Sequence, residues 1–150
     1  LETEAVESFN EHMDELVEVL GYENLERIWI ASRDKEIKKG RRKIQQRVFD
    51  LKVVRESESG NVYEDEIENL SESEKEVAGL VFALSGYLAH EVYEYLPFML
   101  IDSMGALDSE RVEQLLDYFD DHVQYLVAAV LPEVLEDLSS GNGYNVVKTL

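Results

Sequence analysis

Asp102 closes an apolar run, residues 97–101, that reads Pro-Phe-Met-Leu-Ile. An acid at the carboxyl end of a buried strand faces the crevice where open α/β sheets take their ligands. An acid there can hold Mg2+ through water, a role that phosphoryl chemistry uses. Upstream, Ser71 and Glu74 stand at the spacing of a capping box that opens a helix. Free backbone N–H groups and the positive end of the helix dipole meet at Ser71. The plainer alternative for Ser71 is a helix cap worth about 1 kcal/mol. For Asp102 it is a strand-end acid capping the next turn. Asp108 and Ser109 offer a second helix start. A further feature has the opposite sign. Residues 33–47 hold eight of the 14 basic residues and only two acids, with Lys38, Lys39, Arg41, Arg42 and Lys43 at the centre. Such crowding offers a grip on the phosphate backbone of DNA; its alternative is a solvated hairpin tip.

These residues need elements to position them. Val6, Phe9, Met13, Leu16 and Leu20 recur at 3, 4, 3, 4, which predicts a helix over 1–20 ended by Gly21. The stripe is two heptads of coiled-coil seam or the inner face of an amphipathic helix. Residues 28–30 and 48–54 read as strands joined by the basic segment. A second hairpin follows through 57–61, where Gly60-Asn61 signals a turn. Val77, Leu80, Val81, Leu84 and Leu88 mark the buried face of the helix that Ser71 opens. Residues 97–102 and 123–129 are continuous apolar strands separated by a helix with Val112, Leu115, Leu116 and Phe119 inward. Pro132 starts a short acidic helix, 139–143 is a loop, and 144–148 reads as a last strand. Alternating helices and continuous apolar strands argue for a parallel sheet covered by helices. Trp29 reads as core, and Tyr87, Tyr93 and Tyr95 as packing residues. His12, His90 and His122 lack metal-ligand spacing.

The 150 residues fit one domain, and 45% hydrophobic content excludes wholesale disorder. No Cys is present, so disulfide frameworks and thiolate zinc sites are excluded, and a reducing cytoplasm is compatible. No apolar run spans a bilayer. The net charge is −19, and outside 33–47 the chain is more acidic still, a surface suited to a salt-rich cytoplasm. The first residue, Leu1, is what a piece of a longer protein would show.

The ordered motifs of 70–131 resemble the C-terminal half of an ABC-type ATPase head of the SMC and repair-SMC-like class. LSESEKEVAGLVFAL resembles the signature helix, FMLID the Walker B strand, GALD the D-loop, and QYLVAAV the strand before the switch histidine. FNEHMDELVEVLGYENLERIWI resembles the end of a returning coiled coil entering the head. The combination most resembles the archaea-specific SMC-related proteins. The resemblance implies an α/β C-terminal lobe with a mainly parallel sheet, flanking helices and a β-hairpin. Residues 1–21 would be a coiled-coil end or amphipathic helix, and 22–150 the lobe. It implies a role in chromosome maintenance or DNA repair through ATP-gated head engagement, in a cytoplasmic, nucleoid-associated protein with no membrane contact. ATP and Mg2+ are the implied cofactors. An N-terminal lobe carrying the P-loop, a second head in a homodimer, and DNA are the implied partners. Asp102 would order Mg2+, Ser71 would donate to the γ-phosphate of a nucleotide held by the opposing head with Ser73 a further nucleotide-binding residue, and Asp108 would lie across the head–head interface.

Four positions depart from the family pattern. Ser103 stands where the family has its general base, and a serine hydroxyl takes no proton at neutral pH; losing such a base costs ~10²–10⁴ in rate. Val130 stands at the switch histidine. Glu72 and Ser73 replace the signature glycines. No G-x-x-x-x-G-K-[ST] occurs in the 150 residues. Two functions therefore remain open: an ATPase head lobe with weak hydrolysis, or a non-hydrolysing scaffold on a decayed ATPase fold. A third, generic reading is an acidic α/β domain with an unrelated binding role.

Overall fold

The computed structural model describes residues 2–22, 24–57, 59–102, 104–138 and 143–147. The chain forms two compact units, Leu1–His90 and Glu91–Leu150.

The first unit opens with α1 (Glu2–Leu20) and continues into a long hairpin, β1 (Arg27–Lys39) and β2 (Arg42–Glu56). β3 (Val62–Glu66) adds a third antiparallel strand, and α2 (Glu72–Ala89) follows after one 3-10 turn. The predicted stripe on α1 is buried within this unit over its second half: Met13, Leu16 and Leu20 pack toward α2 and β1, Val17 widens the stripe beyond a two-position seam, and Val6 and Phe9 are half-buried. Ile28 and Val53, opposite each other in the hairpin, complete that core with no exposed surface. At Gly86 of α2 an added Cβ would sit 3.0 Å from the Phe9 ring, so the missing side chain makes room for α1. Asn10 acts as a short surrogate strand on the free edge of β1. Its Nδ2 donates to the Ile30 carbonyl (3.2 Å), and its Oδ1 accepts from the Ile30 N–H (2.7 Å).

The basic segment lies mainly in strand. β1 and β2 run on past the core to a two-residue turn, Gly40-Arg41, in which Gly40 has φ +64°. A positive φ at the first central position suits the right-handed twist of a hairpin and favours Gly.

Across the base of the ribbon, Arg55 of β2 ties β3 to α2. Its Nη1 donates to Asp65 (3.2 Å) and its Nη2 to Glu74 (2.7 Å). Glu74 is buried, and its Oε2 also accepts from the Ser71 N–H and hydroxyl, each at 2.7 Å. The predicted capping box is thus formed and anchored from outside the helix.

The second unit holds α3 (Val92–Tyr95), β4 (Phe98–Ile101), α4 (Ser109–Asp120), β5 (Tyr125–Ala128) and α5 (Pro132–Leu138). β4 and β5 pair in parallel, with Phe98 opposite Tyr125 and Ile101 opposite Ala128. Met99 and Ile101 point into a core with Val112, Leu115 and Phe119. The other face of the sheet is apolar and open: Phe98, Leu100, Tyr125 and Val127 are 45–61% exposed.

Several expectations change. Among the described residues the larger sheet is the antiparallel one and the parallel sheet has two strands, because β3 extends the hairpin. Trp29 is half-buried on the outer sheet face, with the Arg27 guanidinium 5.8 Å from its ring. Tyr95 is 82% exposed and so does not pack. The strand expected from 123 begins at Tyr125, because His122 and Val123 still donate to the Phe119 carbonyl at the helix end. Residues 143–147 form no strand, and Val146 and Val147 stay exposed without a ladder to join. The expected loop is described only at Gly143, and Lys148 lies outside the described residues.

Burial pushes the Glu74 carboxyl up, but the Ser71 N–H, the Ser71 hydroxyl and Arg55 more than offset it, leaving it below its ordinary value. Asp65 is held low by Asn69 and the Glu66 N–H, then by Arg55. A depressed carboxyl contributes stability above its unfolded value of about 4.3 for Glu, and loses it as pH falls through the folded value. The urea midpoint should therefore fall on acidification below pH ~4.3, and Glu74→Gln should flatten that fall. Arg55→Met should cost about 1–3 kcal/mol at neutral pH by leaving the Glu74 carboxylate short of partners. An unchanged midpoint would show that the bridge contributes no stability.

Candidate functional site

Ser71 is the exposed N-cap of α2, with extended backbone (φ −63°, ψ 164°). Its hydroxyl accepts from the Glu74 N–H (3.3 Å) and donates to Glu74 Oε2. The amides of Glu72 and Ser73 fall in the first turn, where a helix has no internal acceptor for them. Ser73 Oγ stands 3.3 Å from Ser71 Oγ. The Glu72 side chain is 94% exposed and carries an (i, i+3) pair with Lys75 at 3.1 Å. Its charge therefore lies in solvent beside a cation, which weakens its repulsion of any phosphate at the helix end.

In the second unit Asp102 is exposed and directly follows β4. The parallel register brings the carboxyl ends of β4 and β5 side by side, and the Ala129 N–H donates to the Ile101 carbonyl at 2.9 Å. Asp102 and half-buried Val130 thus leave neighbouring strand ends. Ser103 lies outside the described residues. Asp108 is the N-cap of α4. One carboxylate oxygen accepts from the Arg111 N–H (2.9 Å) and the other from the Arg111 guanidinium. Its role in capping is formed, and its outer side stays exposed.

No cluster of three or more His, Asp or Glu among the described residues is arranged to hold a metal ion. Asp102 supplies a single carboxylate. That suits Mg2+, which binds through one or two carboxylates and fills its shell with phosphate oxygens and water. His90 is the C-cap of α2, and His122 stacks on Tyr118 at 4.9 Å, so both have structural positions.

The basic candidates divide. Lys39 and Arg42 face each other across the ladder, as do Lys38 and Lys43 one step back, and successive pairs point to opposite faces. Arg41 sits in the turn. Two cations outside the central five, Arg33 and Lys35, share the face of Lys39, which the two-residue period of a strand would have revealed. Arg55 was not singled out in the sequence. Glu74 is legible as half of a capping box, whereas nothing local marks Arg55 as its partner.

No family model matches the chain. It is 53% identical over 136 residues to the Smc-like protein Sph3 of Haloferax volcanii, covering 91% of this chain and 21% of that protein. It is 47% identical over 137 residues to the Smc-like protein Sph2 of Halobacterium salinarum, covering 89% of this chain and 20% of that protein. The chain therefore spans about a fifth of the length of these relatives. A solved chain from work on "ATP-driven dimerization and DNA stimulated activation of SMC ATPases" superposes with a TM-score of 0.50. That match covers 87% of this chain and 71% of the other at 17% identity, a likeness of fold. With half of its residues shared across nine-tenths of its length, the chain belongs to the haloarchaeal Smc-like proteins and corresponds to a segment of them.

Proposed function

We propose that this segment is the C-terminal lobe of an SMC-type ATPase head, completed by an N-terminal lobe that carries the phosphate-binding loop. The observation that carries this reading is the open face of the β4–β5 sheet. Parallel strands are ordinarily covered on both faces, and two strands alone make a marginal sheet. Here Phe98, Leu100, Tyr125 and Val127 stay exposed in register. Already about half buried, each would gain roughly 1 kcal/mol on full burial, about half of the ~1.5–3 kcal/mol for a fully exposed side chain. A covering lobe from elsewhere in a protein five times longer would supply that burial.

On this reading Asp102, at the strand end, holds Mg2+ through water. The α2 tip, with the Ser71 hydroxyl and the Glu72 and Ser73 amides, faces the γ-phosphate of a nucleotide held by a second head. Asp108 faces the opposing head. Ser71, the Glu72 and Ser73 amides and Asp102 would hold ATP and its Mg2+ between two heads, and ATP, when bound, would supply the negative charge that the helix end and the metal recognise in head pairing around DNA. Ser103 brings no general base and the Val130 side chain no hydrogen-bond donor, so turnover is slow. A second reading, a non-hydrolysing scaffold, draws support from the Ser71 hydroxyl, whose proton already goes to Glu74.

The isolated chain should show no micromolar binding of Mg-ATP by isothermal titration, since it lacks the P-loop; tight binding would mean the site is misplaced. In the complete protein, ATP-dependent dimerisation, read by light scattering, should disappear with Asp102→Ala. An unaffected variant would favour the scaffold. Ser103→Glu should raise ATP turnover by ~10² or more if a general base is what the pocket lacks.

A further inference from the structure

From Ser32 to Arg47 no residue of the ribbon is buried, so both of its faces meet solvent. The two faces differ in charge. On the face that continues the core side lie Asp34, Glu36, Lys38, Lys43 and Arg47. Lys43 pairs with Glu36 at 2.7 Å, and Arg47 lies 3.7 Å from both Asp34 and Glu2 of α1. Acids therefore consume most of the positive charge there. On the outer face lie Arg33, Lys35, Lys39 and Arg42, with no acid between Lys35 and the tip. Arg33 is paired with Asp50 nearer the base. Lys39 and Arg42 have no ion-pair partner among the described residues. Between these cations the directly opposed Ile37 and Ile44 present a small apolar step, with Ile44 39% exposed.

We propose that the outer face of this ribbon, and not its core-side face, is a contact surface for duplex DNA, with the tip entering the major groove. Complementarity of charge and size argues for that occupant. In a chain of net charge −19, a one-sided row of cations free of acids is matched by a regular array of phosphates. A two-stranded ribbon fits the major groove, which is about 12 Å wide and 8.5 Å deep. Arg33 to Lys39 extends about 20 Å at ~3.4 Å per residue. Lys39 and Arg42 thus reach into the groove while Lys35 meets the backbone at its rim, with the Asp50-paired Arg33 beyond it. Arg42 can offer a planar fork to a guanine edge or a phosphate. Only the choice of DNA as partner rests on the proposed head function; the contact needs no nucleotide.

Two double variants of the complete protein test this, because they remove equal charge from adjacent register positions on opposite faces. Lys39→Gln with Arg42→Gln should weaken binding of a 30-base-pair duplex at least tenfold by fluorescence anisotropy. It should also make the log K against log[salt] slope shallower by about 2. Lys38→Gln with Lys43→Gln should stay within about threefold of wild type. Equal losses in both would reduce the effect to diffuse charge, and no loss in either would leave the ribbon without a DNA role; each overturns the proposal. A wild-type protein that binds no duplex would overturn the DNA part of the head reading as well. ATP-dependent dimerisation, measured on the same samples, should persist in both variants and so keeps the two questions apart. Unchanged circular dichroism and melting temperature confirm folding.

Discussion

The bridge from Asp65 through Arg55 to Glu74 sets the geometry on which the α2 tip depends. A buried carboxylate is tolerated only when hydrogen bonds and a counter-charge replace the water it has lost. Glu74 receives both, from Ser71 on its own helix and from Arg55 on β2. Arginine suits this place because its rigid fork spans two acids and it cannot shed its charge. The span has a cost, since Arg55 Nε is left buried without a hydrogen-bond partner among the described residues. The helix end proposed to face phosphate is therefore set by the antiparallel sheet as well as by its own cap.

The two sheets solve the problem of their second face differently. The antiparallel sheet buries Ile28 and Val53 and leaves charged residues on its other side, which water satisfies. The parallel pair puts apolar side chains on both sides. A face of that kind belongs to a larger sheet or to an interface. The first unit buries Ile28 and Val53 in its core; the second leaves Phe98, Leu100, Tyr125 and Val127 exposed.

Local signals were the most legible in the sequence. The 3–4 spacing marked α1, Ser71 and Glu74 marked the cap of α2, and Asp108 marked the start of α4. Each depends on neighbours within one or two turns. What stayed hidden depends on contacts distant in sequence: Asn10 on the edge of β1, Arg55 beneath α2, and the outward placement of Trp29. The last strand failed for a related reason, because an apolar run becomes a strand only where a ladder awaits it. The candidate site rests on an order of motifs in the sequence. Asp102 and Val130 do leave adjacent strand ends, but the two-residue period that separates the cations into faces was present in the sequence and went unread.

The Gly40-Arg41 turn has an effect out of proportion to its size. Side chains alternate strictly along each arm, so the parity of the turn decides which side every later residue occupies. One residue added to the second arm would carry Arg42 to the side of Glu36 and Asp34 and turn Lys43 outward. A change in length that leaves the composition untouched would thus scramble the charge map of the whole arm, while substitution of a single lysine would only dim it.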